Sequence, residues 1–343
     1  MAKVNLFHYA TSELSQDAFI CWLLAHATPE HQAEDPQLCA CALDFIHKIR
    51  GLAHASQIDE IRQQYLKIDV LAIVNGIHII IEDKTNTNVH GNQIEVYKDK
   101  LIRFGVPKDN VRTVFYKIVE QSHTETVDCT FTRTEILRLL RKYRSCTNAI
   151  FQDYLAHLEE IETRTKAFNT RPIEEWKYDG TRGFFANLQQ TRSDYGIKSW
   201  GYVNNTSGGF MGMCFHCMDD ETALKRMSIY EHIADIYLQF ENDTAYPANG
   251  KDAKKSPPYI LAVKVRANID GKTTNFREAS SIRRALYEAF KNRIPSFEKK
   301  AFRPGQYMTV GYVPYDEKDY DKMVSKVKST LDSIVKEWSL RKE

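Results

Sequence analysis

Residues 67 to 85 read KIDVLAIVNGIHIIIEDKT: two apolar runs meet at Asn75-Gly76, and the second ends in three consecutive charges. Asn-Gly between apolar runs is the strongest short-range hairpin signal, because a two-residue turn of the favoured hand needs positive φ at both positions. Such a turn fixes the pairing. Val74 faces Ile77, Ile73 faces His78, and counting outward puts Asp69 opposite Glu82. That pair falls on a non-hydrogen-bonded position, where Cβ atoms stand about 4.5 to 5.5 Å apart. Two carboxylates that close repel each other unless a cation or a proton lies between them.

The two-residue period of a strand places Glu82 and Lys84 on one face with Asp69. The side chain of Asp83 goes to the other face, so it offers a site here only its backbone carbonyl. Two hard oxygen ligands, a carbonyl and a neighbouring ammonium suit a divalent ion of the Mg²⁺ type, which is held by few protein oxygens and keeps several waters. Such an ion polarises a phosphate and acidifies a water, while a lysine can orient that water and offset developing charge. The cofactor expected from this set is Mg²⁺, with Mn²⁺ able to substitute.

Around the hairpin the pattern alternates between helix and strand. Ser12 stands where a helix through ELSQDAFICWLLAHA would be capped, with Glu13 and Asp17 in or near its first turn, where acids also suit the helix dipole. A second helix is expected in QLCACALDFIHKIRGLA. After the hairpin, GNQIEVYKDKLIRFG repeats Ile94, Tyr97 and Leu101 at helical spacing, with Gly105 as the stop. VRTVFYKIV reads as the next strand, and TRTE at 132 to 135 matches a capping box that opens another helix. The expected first domain, residues 1 to 170, is therefore a mixed sheet flanked by helices. Composition shifts near FNTRPIEEWKYDGTRG. Residues 171 to 343 then read as an α+β region of strands, an amphipathic helix in NFREASSIRRALYEAFKNRI, and a last helix with Met323, Val327, Leu331, Ile334 and Trp338 on one stripe.

The longest apolar run, AFICWLLAHA at 18 to 27, falls short of the roughly 20 residues a membrane span requires, so no membrane crossing is expected. The N-terminus lacks the features of a secretory signal, and seven cysteines at irregular spacing fit reduced thiols, so a cytoplasmic location is expected. Charge is uneven. Residues 1 to 66 carry 4 Lys/Arg against 8 Asp/Glu, whereas 251 to 304 carry 14 against 5. The basic stretch, with Arg277, Arg283 and Arg284 expected off the apolar face of its helix, is the candidate surface for a polyanion. Cys214-x-x-Cys217 lacks a second ligand pair at zinc spacing. NNTSGGF at 204 to 210 lacks the lysine of a phosphate loop and reads as a hairpin turn.

Asp69 in KIDVLAIV, Glu82-x-Lys84 in HIIIEDKT and the acid-bearing helix ELSQDAFICWLL together resemble the PD-(D/E)xK nuclease superfamily. Within it they are most similar to a set of bacterial proteins with an ELSQDAF-type first helix. The resemblance covers roughly residues 5 to 165. It implies a restriction-endonuclease-like αβββαβ core, with Asp69 and Glu82 as metal ligands, Lys84 as the catalytic lysine and Glu13 as a further acid at the metal. Gln93 and Tyr97 resemble the QxxxY motif of some members, in which the glutamine supports the active site. Ile68 precedes Asp69 where the eponymous motif has proline. The function implied is a metal-dependent endonuclease acting on nucleic acid, with DNA the expected substrate. The alternatives are an RNA- or tRNA-directed nuclease, and a nuclease-fold binding module without turnover. A homodimer would suit double-strand cutting.

Overall fold

The computed structural model describes residues 4–85, 92–123, 125–204, 209–218, 224–225, 227, 229, 231–242, 259–268, 276–299, 304–316 and 318–340. The chain divides into two compact units, Met1–Arg164 and Thr165–Glu343, a few residues before the composition shift.

The first unit is built on a mixed five-stranded sheet in sequence order: β1 (Glu60–Tyr65), β2 (Ile68–Val74), β3 (Ile77–Lys84), β4 (Val111–Lys117) and β5 (Cys129–Thr132). The first two pairings are antiparallel and the last two parallel. The β2–β3 hairpin has the expected register, from Val74 with Ile77 to Val70 with Ile81. Asn75 and Gly76 both take positive φ, 50° and 76°. Helices α1 (Glu13–Ala25), α2 (Pro36–His47), α4 (Arg133–Lys142) and α5 (Ala149–Thr165) build the larger core with Val70, Ala72, Ile79 and Ile81. α3 (Gln93–Arg103) belongs to the smaller cluster, where Tyr97 and Leu101 meet Leu71 and Ile80. The alternation of a strand thus feeds two cores from one hairpin, which is why both strands read as almost continuously apolar.

Two elements differ from the sequence expectation. β1, EIRQQY, carries no apolar alternation and pairs on only one side, an edge strand of exposed and half-buried residues. β5 is four residues long and runs directly into the capping box, in which Thr132 and Glu135 exchange hydrogen bonds as expected. Ser12 occupies the N-cap position of α1, yet its Oγ bonds to the Ser15 Oγ (2.9 Å) and not to a helix N–H, so it caps by position only.

The second unit holds an antiparallel five-stranded sheet of consecutive neighbours: β6 (Ile197–Val203), β7 (Phe210–Phe215), β8 (Ile233–Asn242), β9 (Tyr259–Ala267) and β10 (Tyr307–Pro314). Helices α6 (Lys177–Thr191), α7 (Phe276–Arg293) and α8 (Tyr320–Leu340) share its core. Gly183 on α6 is required by contact, since a Cβ there would sit 2.0 Å from the Thr165 carbonyl oxygen. Among the described residues no helix is long and apolar enough to cross a membrane.

Candidate active site

β2 begins and β3 ends at the same end of the first sheet, so the charged residues that close the hairpin gather there. Lys84 is at the centre. Its ammonium lies 2.6 Å from Glu82 Oε1, 3.5 Å from Asp69 Oδ2 and 3.9 Å from Glu13 Oε2, and it donates to the Asp83 carbonyl at 3.0 Å. Each group expected to hold a metal is thus within 4 Å of one buried ammonium. Glu13 reaches the site because the start of α1 is tied to the strand end, its Oε1 accepting from the Thr85 N–H at 3.1 Å. Asp69 is fixed by the Asp83 N–H, which donates to its Oδ2 at 3.1 Å.

From the other side, the Gln93 amide at the first turn of α3 donates to Glu82 Oε1 at 2.7 Å and to the Tyr97 hydroxyl at 2.8 Å. Tyr97 is also a core residue, 7% exposed. The Gln93–Tyr97 pair therefore joins the acid cluster to the α3 core, as two residues four apart on one helical face can.

Two side chains not assigned to the site from sequence belong to it, Asp17 and Gln64. Asp17, one turn after Glu13 on α1, is 1% exposed and accepts from Gln64 Nε2 at 3.1 Å. The same amide donates to Asp69 Oδ1 at 3.3 Å. Gln16 turns to the opposite face of β3 and donates to the carboxyl of Asp83. Its amide oxygen accepts from Tyr154, whose hydroxyl pairs with that of Tyr116. Asp83 thus divides as strand alternation requires: its carbonyl faces the cluster, and its carboxyl is buried in the larger core. Lys117 on β4 is paired in register with Lys84 and is itself buried.

Burial sets the electrostatics. It pushes the Glu82 carboxyl up from 4.5 to about 7, against the pull of its bond to Lys84 and with the Asp69 charge adding to it. Burial and then the Asp69 charge raise Asp17 from 3.8 to about 7. The carboxyl of Asp83 is raised well above the usual range by burial, with Gln16 opposing. Burial disfavours the Lys84 ammonium, but the Glu82 bond and the surrounding acids outweigh it and hold the lysine charged. Among the described residues one ammonium thus faces the four acids Glu13, Asp17, Asp69 and Glu82, of which Asp17 and Glu82 are buried, Asp69 is 16% exposed and Glu13 is 35% exposed.

The donor set fits a hard divalent cation on two grounds. Glu82 Oε2 and Asp17 Oδ1 are buried and accept no hydrogen bond, and all the side-chain donors are oxygens. Among the described residues, however, no three His, Cys, Asp or Glu side chains are gathered as a metal site; the acids are drawn around Lys84 instead. The seven cysteines are free thiols, and Cys214 accepts from Gln239 in the second sheet.

The basic candidates lie in the second unit. Arg277 and Arg284 are exposed on α7, two turns apart and so on one face. Arg283 is not on that face. It is 1% exposed and donates to the Ser280 hydroxyl at 2.8 Å, because positions 279, 283, 286 and 290 form the buried stripe of the helix. Lys264, in the same basic stretch, turns to Glu241 at 2.9 Å and Thr309 at 3.0 Å. Residues 251–258, 269–275 and 300–303 of that stretch lie outside the described residues, as do 205–208 of the glycine-rich turn. No family model, curated protein or solved structure matches the chain.

Proposed function

We propose that the first unit is a divalent-metal-dependent nuclease of restriction-endonuclease-like type that hydrolyses phosphodiester bonds, with DNA as substrate. One observation carries the reading: Glu13, Asp69, Glu82 and the Asp83 carbonyl converge within 4 Å of the buried Lys84 ammonium. The order of helix, three strands, helix and strand supports it, as does the mixed pairing of those strands.

In this reading Asp69 and Glu82 hold the metal, with Glu13 and the Asp83 carbonyl beside them. A bound divalent cation supplies Lewis-acid polarisation of the phosphate and a more acidic water. The chain's own residues do the rest. Lys84 orients the attacking water and offsets charge on the phosphate oxygens. Gln93 fixes the Glu82 carboxylate, so its free oxygen keeps one direction. Burial excludes competing water and strengthens each of these contacts. Arg277 and Arg284 on the second unit are proposed contacts to the nucleic-acid backbone. A homodimer and a cytoplasmic, bacterial setting remain part of the proposal.

The test is cleavage of plasmid DNA, single-stranded DNA and matched RNA with Mg²⁺, Mn²⁺ or EDTA. Wild type is run beside Asp69→Ala and Glu82→Ala. Metal-dependent cutting that both substitutions abolish is expected; full activity in either variant refutes the assignment, and cutting confined to RNA moves the substrate.

The competing reading is a binding module without turnover, built on the same acids around Lys84. Its signature would be metal binding with no cleavage of any nucleic acid.

A further inference from the structure

We infer that Gln64 is a positioning residue of this site, holding Asp69 in place and joining Asp17 to the same group of carboxylates. The inference rests on the reading of Asp69 as a cation ligand and extends it to a strand whose sequence gives no such signal.

Gln64, Leu66 and Lys67 take φ of 53°, 57° and 69°, three left-handed non-glycine residues within four positions. Leu66 and Lys67 have an ordinary reason. They are the two central residues of the β1–β2 turn, bounded by the pair Tyr65 and Ile68, and a two-residue turn of that hand requires positive φ at both. Gln64 has no such reason. It lies inside the strand between the pairs Gln63 with Val70 and Tyr65 with Ile68, so the register continues across it and no bulge absorbs the distortion. A left-handed conformation is one that L-residues other than Asn, Asp and Gly adopt only at a cost. Local strain of this kind persists where its surroundings over-determine it, and it concentrates at functional sites.

At this position the conformation coincides with one set of contacts. Counting on from the flanking pairs Gln63 with Val70 and Tyr65 with Ile68, Gln64 falls opposite Asp69, although the ladder itself skips this position. Its single amide nitrogen donates to Asp17 Oδ2 at 3.1 Å and to Asp69 Oδ1 at 3.3 Å. Asp69 is thereby held at both oxygens, since its Oδ2 accepts from the Asp83 N–H at 3.1 Å and lies 3.5 Å from the Lys84 ammonium. Asp17 is the more telling partner. It is 1% exposed, and its second oxygen is buried without a hydrogen-bond donor. A neutral amide shared between two carboxylates lets both stay near each other without spending a cation on the contact, which leaves the Lys84 ammonium and any bound metal for the other oxygens.

The test uses the full chain as wild type, Gln64→Gly and Gln64→Asn, with two measurements: thermal melting without metal, and Mn²⁺ affinity by calorimetry. Glycine accepts positive φ without steric cost, which offsets the lost amide contacts, so Gln64→Gly is expected to melt close to the wild-type temperature. Its Mn²⁺ dissociation constant is expected to rise about tenfold or more, as when a partner that orients a metal ligand is lost. Gln64→Asn keeps an amide and tolerates the left-handed backbone, but it is one methylene short of both carboxylates, and it should bind as weakly as the glycine variant. Wild-type binding with a change below about fivefold in Gln64→Gly overturns the inference and leaves the metal site standing. A melting temperature for Gln64→Gly well below wild type also overturns it, because the side chain would then act through the fold. Failure of wild type to bind Mn²⁺ overturns both the inference and the site reading on which it rests.

Discussion

Replacing Lys84 by methionine removes the ammonium while keeping most of the side-chain volume, which isolates its charge. Its side chain is 9% exposed and that of Glu82 is 0% exposed, so solvent screens the pair little. Removing one partner from a buried ion pair costs about 3 to 5 kcal/mol, because the remaining charge is stranded. For a unit of this size that corresponds to a fall of roughly 10 °C in melting temperature. The loss should depend on pH. Glu82 already titrates at about 7 with the ammonium beside it, up from 4.5, and without the ammonium it titrates higher still. A group whose folded pKa exceeds its unfolded value stabilises the fold below the unfolded value and loses that contribution as pH rises through the folded one. At pH 5.5 Glu82 carries a proton in both proteins and most of the penalty disappears; at pH 8 it is ionised in wild type, so the penalty is larger there and is complete only above the raised value in the variant. Mn²⁺ should bind Lys84→Met more tightly than wild type, since Lys84 holds the position among the acids that a cation would take, and cleavage should nonetheless be lost. Melts by circular dichroism at the two pH values, with and without Mn²⁺, read all of this. Equal destabilisation at pH 5.5 and 8, or Mn²⁺ affinity no higher than wild type, would refute the reasoning.

Wild type should show the same pH trend in weaker form: Glu82 and Asp17 both sit near 7, so metal-free stability declines from pH 5 to 8, and added Mg²⁺ should flatten that slope in parallel urea titrations. Gln93→Ala should lower cleavage by about 10- to 100-fold, measured as kcat on a fixed oligonucleotide, because Glu82 loses the amide that orients it. Reversing the exposed Arg277 and Arg284 to glutamate should weaken nucleic-acid binding and reduce its salt dependence in filter-binding assays, whereas Arg283→Met should leave that slope unchanged because Arg283 is buried. Gly183→Ala should destabilise the second unit by about 1 to 3 kcal/mol or more in denaturant melts, since its Cβ would meet the Thr165 carbonyl oxygen.

The hairpin was legible because each of its determinants is local. Asn75-Gly76 fixes the turn, the turn fixes the register, and the register brings Asp69 beside the end of β3. The α3 helix and the capping box at Thr132 were legible for the same reason, each marked by residue types at fixed offsets. β1 was not, because an edge strand buries too little to impose alternation, and EIRQQY has none. That omission hid Gln64, and with it the link from Asp69 to Asp17. No residue-type rule would have recovered it, since a left-handed strand position ordinarily selects glycine or asparagine.

Asp17 and Arg283 show the same limit from opposite directions. An acid in the second turn of a helix looks like a dipole partner, and an arginine on an amphipathic helix looks like a surface cation. Asp17 instead turns inward because it is four residues from Glu13, and α1 lays that face along the strand ends where β2 starts and β3 stops. Arg283 turns inward because the helical period places it with Ala279, Leu286 and Phe290. In both cases the side chain's identity suggested water and its phase on the helix decided burial. Charge sited by phase in this way costs free energy unless something opposes it. For Arg283 the burial lowers its pKa, and the Ser280 hydroxyl is one bond that helps to hold it. For Asp17 the amide of Gln64 satisfies one oxygen and the other is left without a donor. Under the proposed reading an acid kept in that condition beside three others marks a place a cation would occupy, which is why the metal titrations, and not the cleavage assay alone, bear most directly on what this site is for.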